Sequence, residues 1–408
     1  MKLKALVATA VAASTLILGA GIAHAGVAPE PTGWDDSNDQ IVGAGSDTTF
    51  NFMQRSDVLY NQAQGCETNN TFSTAVGNTY GKCLTAAGKN DTTLTTGNYD
   101  HDYVVERFPT GSGAGRSEVL AGLADFARSS SISANNDLSY WGYAKDAIAV
   151  VTFGTRSVGN LTKAQIQGIF NCSITDWGTI TGNPADVGQT IVPFTMNAAS
   201  GTKATFQSYL GSADVNAGAC KRKLISGIDP FENDSKPIEA DAATGAFNLN
   251  NAIWWMSFGE YKAFSYKRGT AKAWSVDGVD ASNATTADDT YGITRFLYHV
   301  TKKADAQPAS TAVGAAYDVV GGVDTDPATA GNQWGPDTTN TVANGGKAGA
   351  VREYTRFICK PSSAHSANDF TGNSNFLEYT AIYSATGFIR VPSAQRTPGA
   401  GVCKYVAG

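Results

Sequence analysis

Four short turns that combine glycine with hydroxyl side chains most constrain how this chain folds. Each turn either follows a strand pattern or opens a helix pattern in the sequence. The four turns are Gly43–Phe50, Thr110–Gly115, Asp125–Ser130 and Ala199–Thr202. A glycine lets the backbone approach a ligand closely, and a neighbouring Ser or Thr adds a hydroxyl donor. Because successive N–H groups at a helix N-terminus attract a small anion, four such turns predict an oxyanion held by converging loops.

The order of elements along the chain predicts an α/β fold. Strand patterns at Ile41–Ala44, Leu123–Ala127 and Ile191–Met196 each lead into a donor turn, and helix patterns follow the turns. Ligands in open α/β sheets bind at the carboxyl ends of strands, which is where these turns fall. The run of apolar residues at Ala147–Phe153 is typical of a buried strand. We expect this strand to cross between two lobes.

Residues 1–25 have the pattern of a cleaved signal peptide. Two lysines precede an apolar stretch of small residues, Ala5–Ala20, and Ala23–Ala25 fits the A-x-A cleavage pattern. The stretch is short and rich in Ala, Thr, Ser and Gly, which favours a signal over a transmembrane anchor. No cysteine lies near the cleavage site, so no lipid anchor is expected. We expect a secreted or periplasmic protein with a flexible leader at residues 26–39.

The charge of the chain limits its partners. The formal charge is −6 at pH 7, and it becomes −8 once the two lysines of residues 1–25 are removed. This balance argues against a nucleic-acid partner, because phosphate backbones recruit clustered Lys and Arg. A small anion remains compatible, since local N–H and hydroxyl dipoles recognise it. No CxxC spacing is present and His is rare, so neither zinc nor another cofactor is expected.

All six cysteines lie after residue 25. An even number of cysteines in an exported protein predicts disulfide bonds. Sequential pairing is favoured, because each bridge then closes a loop within one local region, which suits a fold with several lobes. The expected pairs are Cys66–Cys83, Cys172–Cys220 and Cys359–Cys403.

With its turns in this order, the chain resembles the phosphate-binding receptors of bacterial ABC importers, within the type II periplasmic-binding-protein superfamily. Gly43–Phe50 resembles the opening glycine turn of that family, and Gly111–Gly115 resembles its serine-glycine loop. Asn160–Phe170 with Asp176-Trp177 resembles the helix and loop of the second lobe. Ser200-Gly201-Thr202 resembles the third anion clamp. The similarity covers most of residues 41–264 and weakens afterwards.

The resemblance implies two α/β lobes joined by two crossing strands, with the ligand in the cleft between them. Lobe one would comprise residues 40–144 and 261–408, and lobe two residues 145–260. It also implies closure by a hinge, a monomer, and an ABC permease as partner. The implied ligand-binding residues are Asp47, Thr48, Thr49, Ser112, Gly113, Arg128, Ser129, Ser200, Gly201 and Thr202.

Two positions depart from the pattern of phosphate receptors. Ser130 stands where they place an aspartate, and Met196 stands where they place an arginine. The carboxylate accepts the proton that phosphate carries, and the arginine forms a bidentate charged pair. We expect Arg128 to supply the positive charge and Asp47 the acceptor; otherwise the ligand is another oxyanion or a phosphorylated or carboxylated small molecule. Residues 232–234 either line the cleft or form a solvated loop.

Two other classes of function compete with the receptor. A phosphoester hydrolase is disfavoured, because Gly111–Gly113 does not fit the nucleophile elbow and His101, His299 and His365 lack the context of a base. We therefore expect no enzyme. A surface or adhesive exoprotein that keeps the fold is the main alternative, favoured by the missing anchor and by the Thr/Asn-rich insert at Ala63–Tyr99.

Overall fold

The structure is a computed structural model. It describes residues 40–63, 103–157, 159–212, 214–303, 351, 354–355, 357–359, 375–397, 400 and 402–408. All of them belong to one compact unit, Asp35–Gly408. The predicted signal peptide and leader, the Cys66–Cys83 pair and nearly all of the Thr/Asn-rich insert lie outside the described residues.

The described residues form strands and helices in mixed order. The strands are β1 (Gln40–Gly45), β2 (Tyr103–Glu106), β3 (Phe126–Ser129), β4 (Leu138–Thr152), β5 (Asn160–Leu161), β6 (Val192–Pro193), β7 (Ala252–Ser257), β8 (Lys272–Ala273), β9 (Ser275–Val276), β10 (Thr294–Lys302), β11 (Ile389–Arg390) and β12 (Lys404–Ala407). The helices are α1 (Phe50–Ala63), α2 (Ser112–Ala121), α3 (Lys163–Phe170), α4 (Trp177–Thr181), α5 (Gly201–Leu210), α6 (Lys236–Ala243), α7 (Phe258–Ala263), α8 (Ser265–Arg268), α9 (Asn283–Ala287) and α10 (Asn375–Thr386). The predicted α/β fold class is confirmed.

A single long strand, β4, belongs to both lobes. Its first part pairs with β10 on one edge and with β11 and β12 on the other. Its last five residues, 148–152, pair with β7, and β8 adds to its end. Every residue of β4 is buried, which explains its nearly continuous apolar run. β4 and its antiparallel neighbour β10 are the two strands that cross between the lobes.

Three parallel strands bring the first three donor turns to one edge of the lobe-one sheet. β1 pairs in parallel with β2 on one side and with β3 on the other. The carboxyl ends of parallel strands meet at the same edge, so the turns after these strands are neighbours. Backbone hydrogen bonds fix them there: the Ser46 N–H donates to the Arg128 carbonyl at 2.9 Å, and the Thr110 N–H to the Gly45 carbonyl at 2.9 Å.

Each lobe has its own apolar core. In lobe two, Phe170, Phe206 and Trp255 pack ring against ring, and the centroids of Phe206 and Trp255 are 4.5 Å apart. In lobe one, Phe52 of α1 stacks on Tyr143 of β4 with centroids 4.6 Å apart. The aromatic rings of the β7 region are thus core residues that hold helices on the sheet.

The apolar core around β7 also includes residues that follow it in the chain, Trp274 and Ile293 among them. The chain comes back to this core after α7, where the Trp274 N–H donates to the Val150 carbonyl at 2.9 Å. It then continues into β10, which pairs with β4. The lobe boundaries at residues 144/145 and 260/261 stay a prediction.

Two of the three predicted disulfide pairs are confirmed. Cys172 is bonded to Cys220, and Cys359 is bonded to Cys403. The first bridge lies within lobe two, between the residues that follow α3 and α5; the second ties the segment before β12 to lobe one. Among the helices of the described ranges, none combines the length and the apolar character needed to cross a membrane.

Candidate functional site

Five buried hydroxyl groups meet where the two lobes touch. We call Ser46, Thr48, Ser112, Ser130 and Thr202 the hydroxyl cluster; none of the five is exposed to solvent. The Oγ of Ser130 lies 3.2 Å from that of Ser112 and 3.4 Å from that of Ser46. Across the lobe junction, the Oγ1 atoms of Thr48 and Thr202 are 3.2 Å apart. The four donor turns of the sequence therefore converge on one point.

Three helices begin at this cluster. α1 begins at Phe50 just after the first turn, α2 begins at Ser112, and α5 begins at Gly201. Each helix has at least ten residues, so each directs the positive end of its dipole toward the hydroxyls. Ser200 is the N-cap of α5: its hydroxyl accepts from the Lys203 N–H at 3.1 Å.

Close contact between the lobes depends on a glycine. A Cβ atom placed on Gly201 would lie 2.4 Å from the Oγ atoms of both Ser112 and Ser130. The backbones also bond across this point, since the Gly113 N–H donates to the Ala199 carbonyl at 3.1 Å. The start of α5 in lobe two is thus pressed directly onto the donor turns of lobe one.

Arg295, which is not among the predicted ligand residues, supplies positive charge to the cluster. The Nη1 of Arg295 donates to the Thr202 hydroxyl at 2.6 Å, and its Nη2 lies 3.5 Å from the Thr48 hydroxyl. Asp146 orients the guanidinium, accepting from Nη2 at 2.9 Å and from Nε at 3.3 Å. The two residues are direct cross-strand partners on β10 and β4. A charged residue inside the otherwise apolar strand pattern near residue 295 was the available sequence signal.

A carboxylate also lies beside Thr48. The Thr48 hydroxyl donates to the Glu232 Oε1 at 2.9 Å, and Glu232 is almost fully buried. Residues 232 and 233 therefore line the junction rather than a solvated loop. Asp47 is one step further away, where its Oδ2 accepts from the Asn233 side chain at 2.9 Å. Burial, reinforced by the nearby Glu232 charge, raises the pKa of Asp47 to about 6.

The side chains of three predicted ligand residues bond to groups other than the cluster hydroxyls, although the Arg128 Nε donates to the Ser46 carbonyl at 3.3 Å. Arg128 forms a buried ion pair with Glu106, and its Nη2 donates to the Arg107 carbonyl at 3.0 Å. The Ser129 hydroxyl donates to the Ser131 carbonyl at 2.6 Å. Thr49 is buried and its side chain lies toward Tyr143, inside lobe one. These three side chains support the donor turns from within lobe one.

Of the three histidines that could act as the general base of a hydrolase, the described part of the chain contains His299. His299 is fully buried in lobe one, where a ring nitrogen lies 2.9 Å from the Thr355 hydroxyl. Burial lowers its pKa to about 3, so the ring is neutral at physiological pH. Its aromatic neighbours are core residues, not members of the hydroxyl cluster. Within the described ranges, no group of three or more His, Cys, Asp or Glu residues is arranged to hold a metal ion.

Two α/β lobes share crossing strands, and donors from both lobes meet at their junction, which is the architecture of a two-lobed α/β protein. The chain belongs to the PBP (periplasmic-binding-protein) superfamily: the family model described as a PBP superfamily domain matches residues 30–318. The superfamily predicted from the order of the turns is thereby confirmed. Among proteins of curated function, none matches this sequence.

Solved structures similar to this chain include several phosphate-binding proteins. One is a putative phosphate ABC transporter substrate-binding protein with bound phosphate from Clostridium perfringens (20% identity, TM-score 0.46, covering 65% of this chain and 87% of that chain). Another is an ABC-type phosphate transport receptor from Vibrio cholerae (23% identity, TM-score 0.43, covering 65% and 88%). A third is a phosphate-binding protein from Stenotrophomonas maltophilia (14% identity, TM-score 0.38, covering 82% and 96%).

Proposed function

We propose that this chain is an exported solute-binding protein that captures phosphate or a similar small oxyanion for an ABC importer. The observation that carries the proposal is the convergence of five buried hydroxyls, three helix N-termini and one arginine at the lobe junction. Hydroxyl and N–H dipoles that are already oriented and shielded from water favour a small anion over any neutral ligand. Like the named structures, which are binding proteins and receptors, the chain is proposed to act without catalysis.

In this proposal the anion replaces hydroxyl–hydroxyl bonds by stronger ones. The cluster hydroxyls now bond to one another at 3.2–3.4 Å, so each can turn to an oxyanion when the lobes part and reclose. Hydrogen bonds to a charged acceptor are roughly twice as strong as neutral ones. Gly113 and Gly201 contribute backbone N–H groups, and Ser200 contributes by capping α5. Arg295 takes the charged role that the sequence gave to Arg128.

The neighbouring carboxylate favours an oxyanion that carries a proton. The Thr48 hydroxyl donates to Glu232 at 2.9 Å and lies 3.5 Å from the Nη2 of Arg295. A fully ionised anion is repelled by a carboxylate this close, whereas a ligand proton converts the repulsion into a hydrogen bond. Phosphate keeps one proton at neutral pH and sulfate keeps none. We therefore propose that Glu232, rather than Asp47, provides the selection against sulfate.

Calorimetric titration tests this function. Purified, dialysed protein lacking residues 1–25 is titrated with phosphate and, separately, with sulfate. We expect micromolar or tighter binding of phosphate alone, and a loss of about 100-fold or more in Ser112→Ala combined with Thr202→Val. Ser117→Ala is the matched control, because Ser117 is an exposed serine on the same helix as Ser112. Protein shown to be free of ligand that binds neither anion would favour the surface exoprotein.

Export is tested on the secreted product. We propose cleavage after Ala25 and release of a monomer to the periplasm or the medium, where it meets its permease. The intact mass of protein recovered outside the cytoplasm should correspond to a chain that begins at Gly26. A mass that retains residues 1–25 would contradict cleavage and would favour an anchored protein.

A further inference from the structure

A second space opens directly beside the hydroxyl cluster. This side crevice has a volume of about 440 Å³ and lies between α5 of lobe two and the start of β10. Ser130, a member of the cluster, and Arg295, which donates to Thr202, both line the crevice, so the crevice borders the cluster. A volume of this size is within the range of pockets that bind small organic molecules, and exceeds what an inorganic oxyanion fills.

The walls of the side crevice are partly apolar. One wall is the face of α5 that carries Ala204 and Ser208, four residues apart and both exposed. The opposite wall carries the rings of Phe296 and Tyr298, and Ile132 at the rim is 53% exposed. Small side chains on one side and rings on the other leave a slot suited to a compact, partly apolar group.

Ser130 stands between the hydroxyl cluster and the side crevice. Its Oγ lies near Ser112 and Ser46, and its carbonyl accepts from the Thr205 hydroxyl at 3.4 Å. An aspartate at this position would add side-chain volume and a second negative charge. With the smaller serine, less side-chain volume separates an anion in the cluster from the crevice.

We propose that the physiological ligand is a phosphate monoester bound in its monoprotonated form, the form that Glu232 favours, with its phosphoryl group in the hydroxyl cluster and its organic group in the side crevice. The proposal rests on the anion-binding function given above and specifies its ligand. Three phosphoryl oxygens meet the hydroxyls and Arg295, and the ester oxygen leads past Ser130 into the slot between α5 and β10. The organic group gains apolar contact there that inorganic phosphate lacks.

The test compares phenyl phosphate with inorganic phosphate by calorimetry at pH 5.5. At this pH inorganic phosphate keeps its proton and most of the phenyl phosphate does too, because the second pKa of a phosphate monoester is about 6. We expect phenyl phosphate to bind at least about tenfold more tightly than phosphate. Ser208→Trp, which fills the crevice from α5, should weaken phenyl phosphate by about tenfold or more and leave phosphate unchanged. Ser117→Trp, on an exposed face of α2 away from the crevice, should change neither.

The outcomes separate this inference from the proposed function. Phosphate that binds at least as tightly as phenyl phosphate would overturn the ester proposal while leaving the receptor intact. Equal effects of Ser208→Trp on both ligands would also overturn it, because the crevice would then not distinguish them. Failure of both ligands to bind the unmodified protein would reject the anion-binding function itself, and the ester proposal with it.

Discussion

Adding one methyl group at the lobe junction should weaken ligand binding while the protein still folds. Gly201 is the first residue of α5 and has an ordinary helical backbone rather than a positive φ. Alanine is favoured over glycine in a helix by about 1 kcal/mol, so Gly201→Ala should not weaken the helix. What opposes the substitution is space, because the new Cβ would lie 2.4 Å from the Oγ atoms of Ser112 and Ser130.

The size of the effect follows from these distances. Ordinary contact begins at 3.4 Å, so the lobes must separate by about 1.0 Å, the difference between 3.4 and 2.4 Å. The 3.2 Å bond between Thr48 and Thr202 would then lengthen to about 4.2 Å, beyond hydrogen-bonding range. An anion held by both lobes would lose about two charge-assisted hydrogen bonds, or roughly 3 kcal/mol. We therefore expect phosphate affinity to fall by about 100-fold.

Calorimetric titration with phosphate measures this loss, and thermal unfolding without phosphate shows whether the variant still folds. The matched control is Gly113→Ala, a second helix glycine at the same junction. Its added Cβ would lie 3.6 Å from the Ala199 carbonyl, which is ordinary contact. Gly113→Ala should bind phosphate within about threefold of the unmodified protein. If Gly201→Ala binds as tightly as Gly113→Ala, the lobes do not meet at Gly201 in the bound form, and the reasoning fails.

Three further predictions concern charge, pH and the lobe-two disulfide. Arg295→Gln should weaken phosphate binding by at least about 100-fold in calorimetry and lower the free energy of unfolding by about 3 kcal/mol, because Asp146 would be left as an unpaired buried carboxylate. Unfolding with urea should also show stability falling as the pH rises from about 5 to 8. Burial raises the pKa of Glu260 to about 8 in the folded protein, above its usual 4.5, so the folded state holds the proton that the unfolded state releases. Glu260→Gln should make that decline shallower by about 5 kcal/mol at most (3.5 pH units at about 1.4 kcal/mol each), the rest coming from Asp47 and Asp57, whose pKa values burial also raises; an unchanged slope would assign the decline to those groups. Replacing Cys172 and Cys220 together by Ser opens a loop of 48 residues and should cost about 4 kcal/mol of stability, measured with urea, with phosphate affinity unchanged because the bridge is internal to lobe two.

The convergence of the donor turns was predictable because it depends on local rules. Parallel strands place the turns that follow them at one edge, and a serine before a helix caps it, as Ser200 does. Order and spacing along the chain therefore sufficed for the α/β class and the superfamily. Of the five cluster residues, Thr48, Ser112 and Thr202 were among the expected ligand residues, whereas Ser46 and Ser130 were not. Two of the three cysteine pairs also followed from local pairing.

The charged groups of the site were not predictable, because their positions depend on long-range register. Arg295 reaches Thr202 only because β10 pairs with β4 in a particular alignment. The sequence indicated Arg128 as a ligand for the anion, but Arg128 is paired with Glu106. Glu106 is on β2 and Arg128 on β3, the two strands that flank β1 in the sheet. The return of the chain to the core around β7 likewise depends on the pairing of β8 with β4. No local pattern encodes these alignments.

The shared strand also sets the order in which the protein folds. β12 completes the edge of β4 by pairing residues 404–407 with residues 139–142. The strands and core of lobe two lie within residues 147–293, so their contacts close shorter stretches of chain. When the protein refolds from urea, we expect lobe two to acquire protection from hydrogen exchange before the edge that β12 forms with β4.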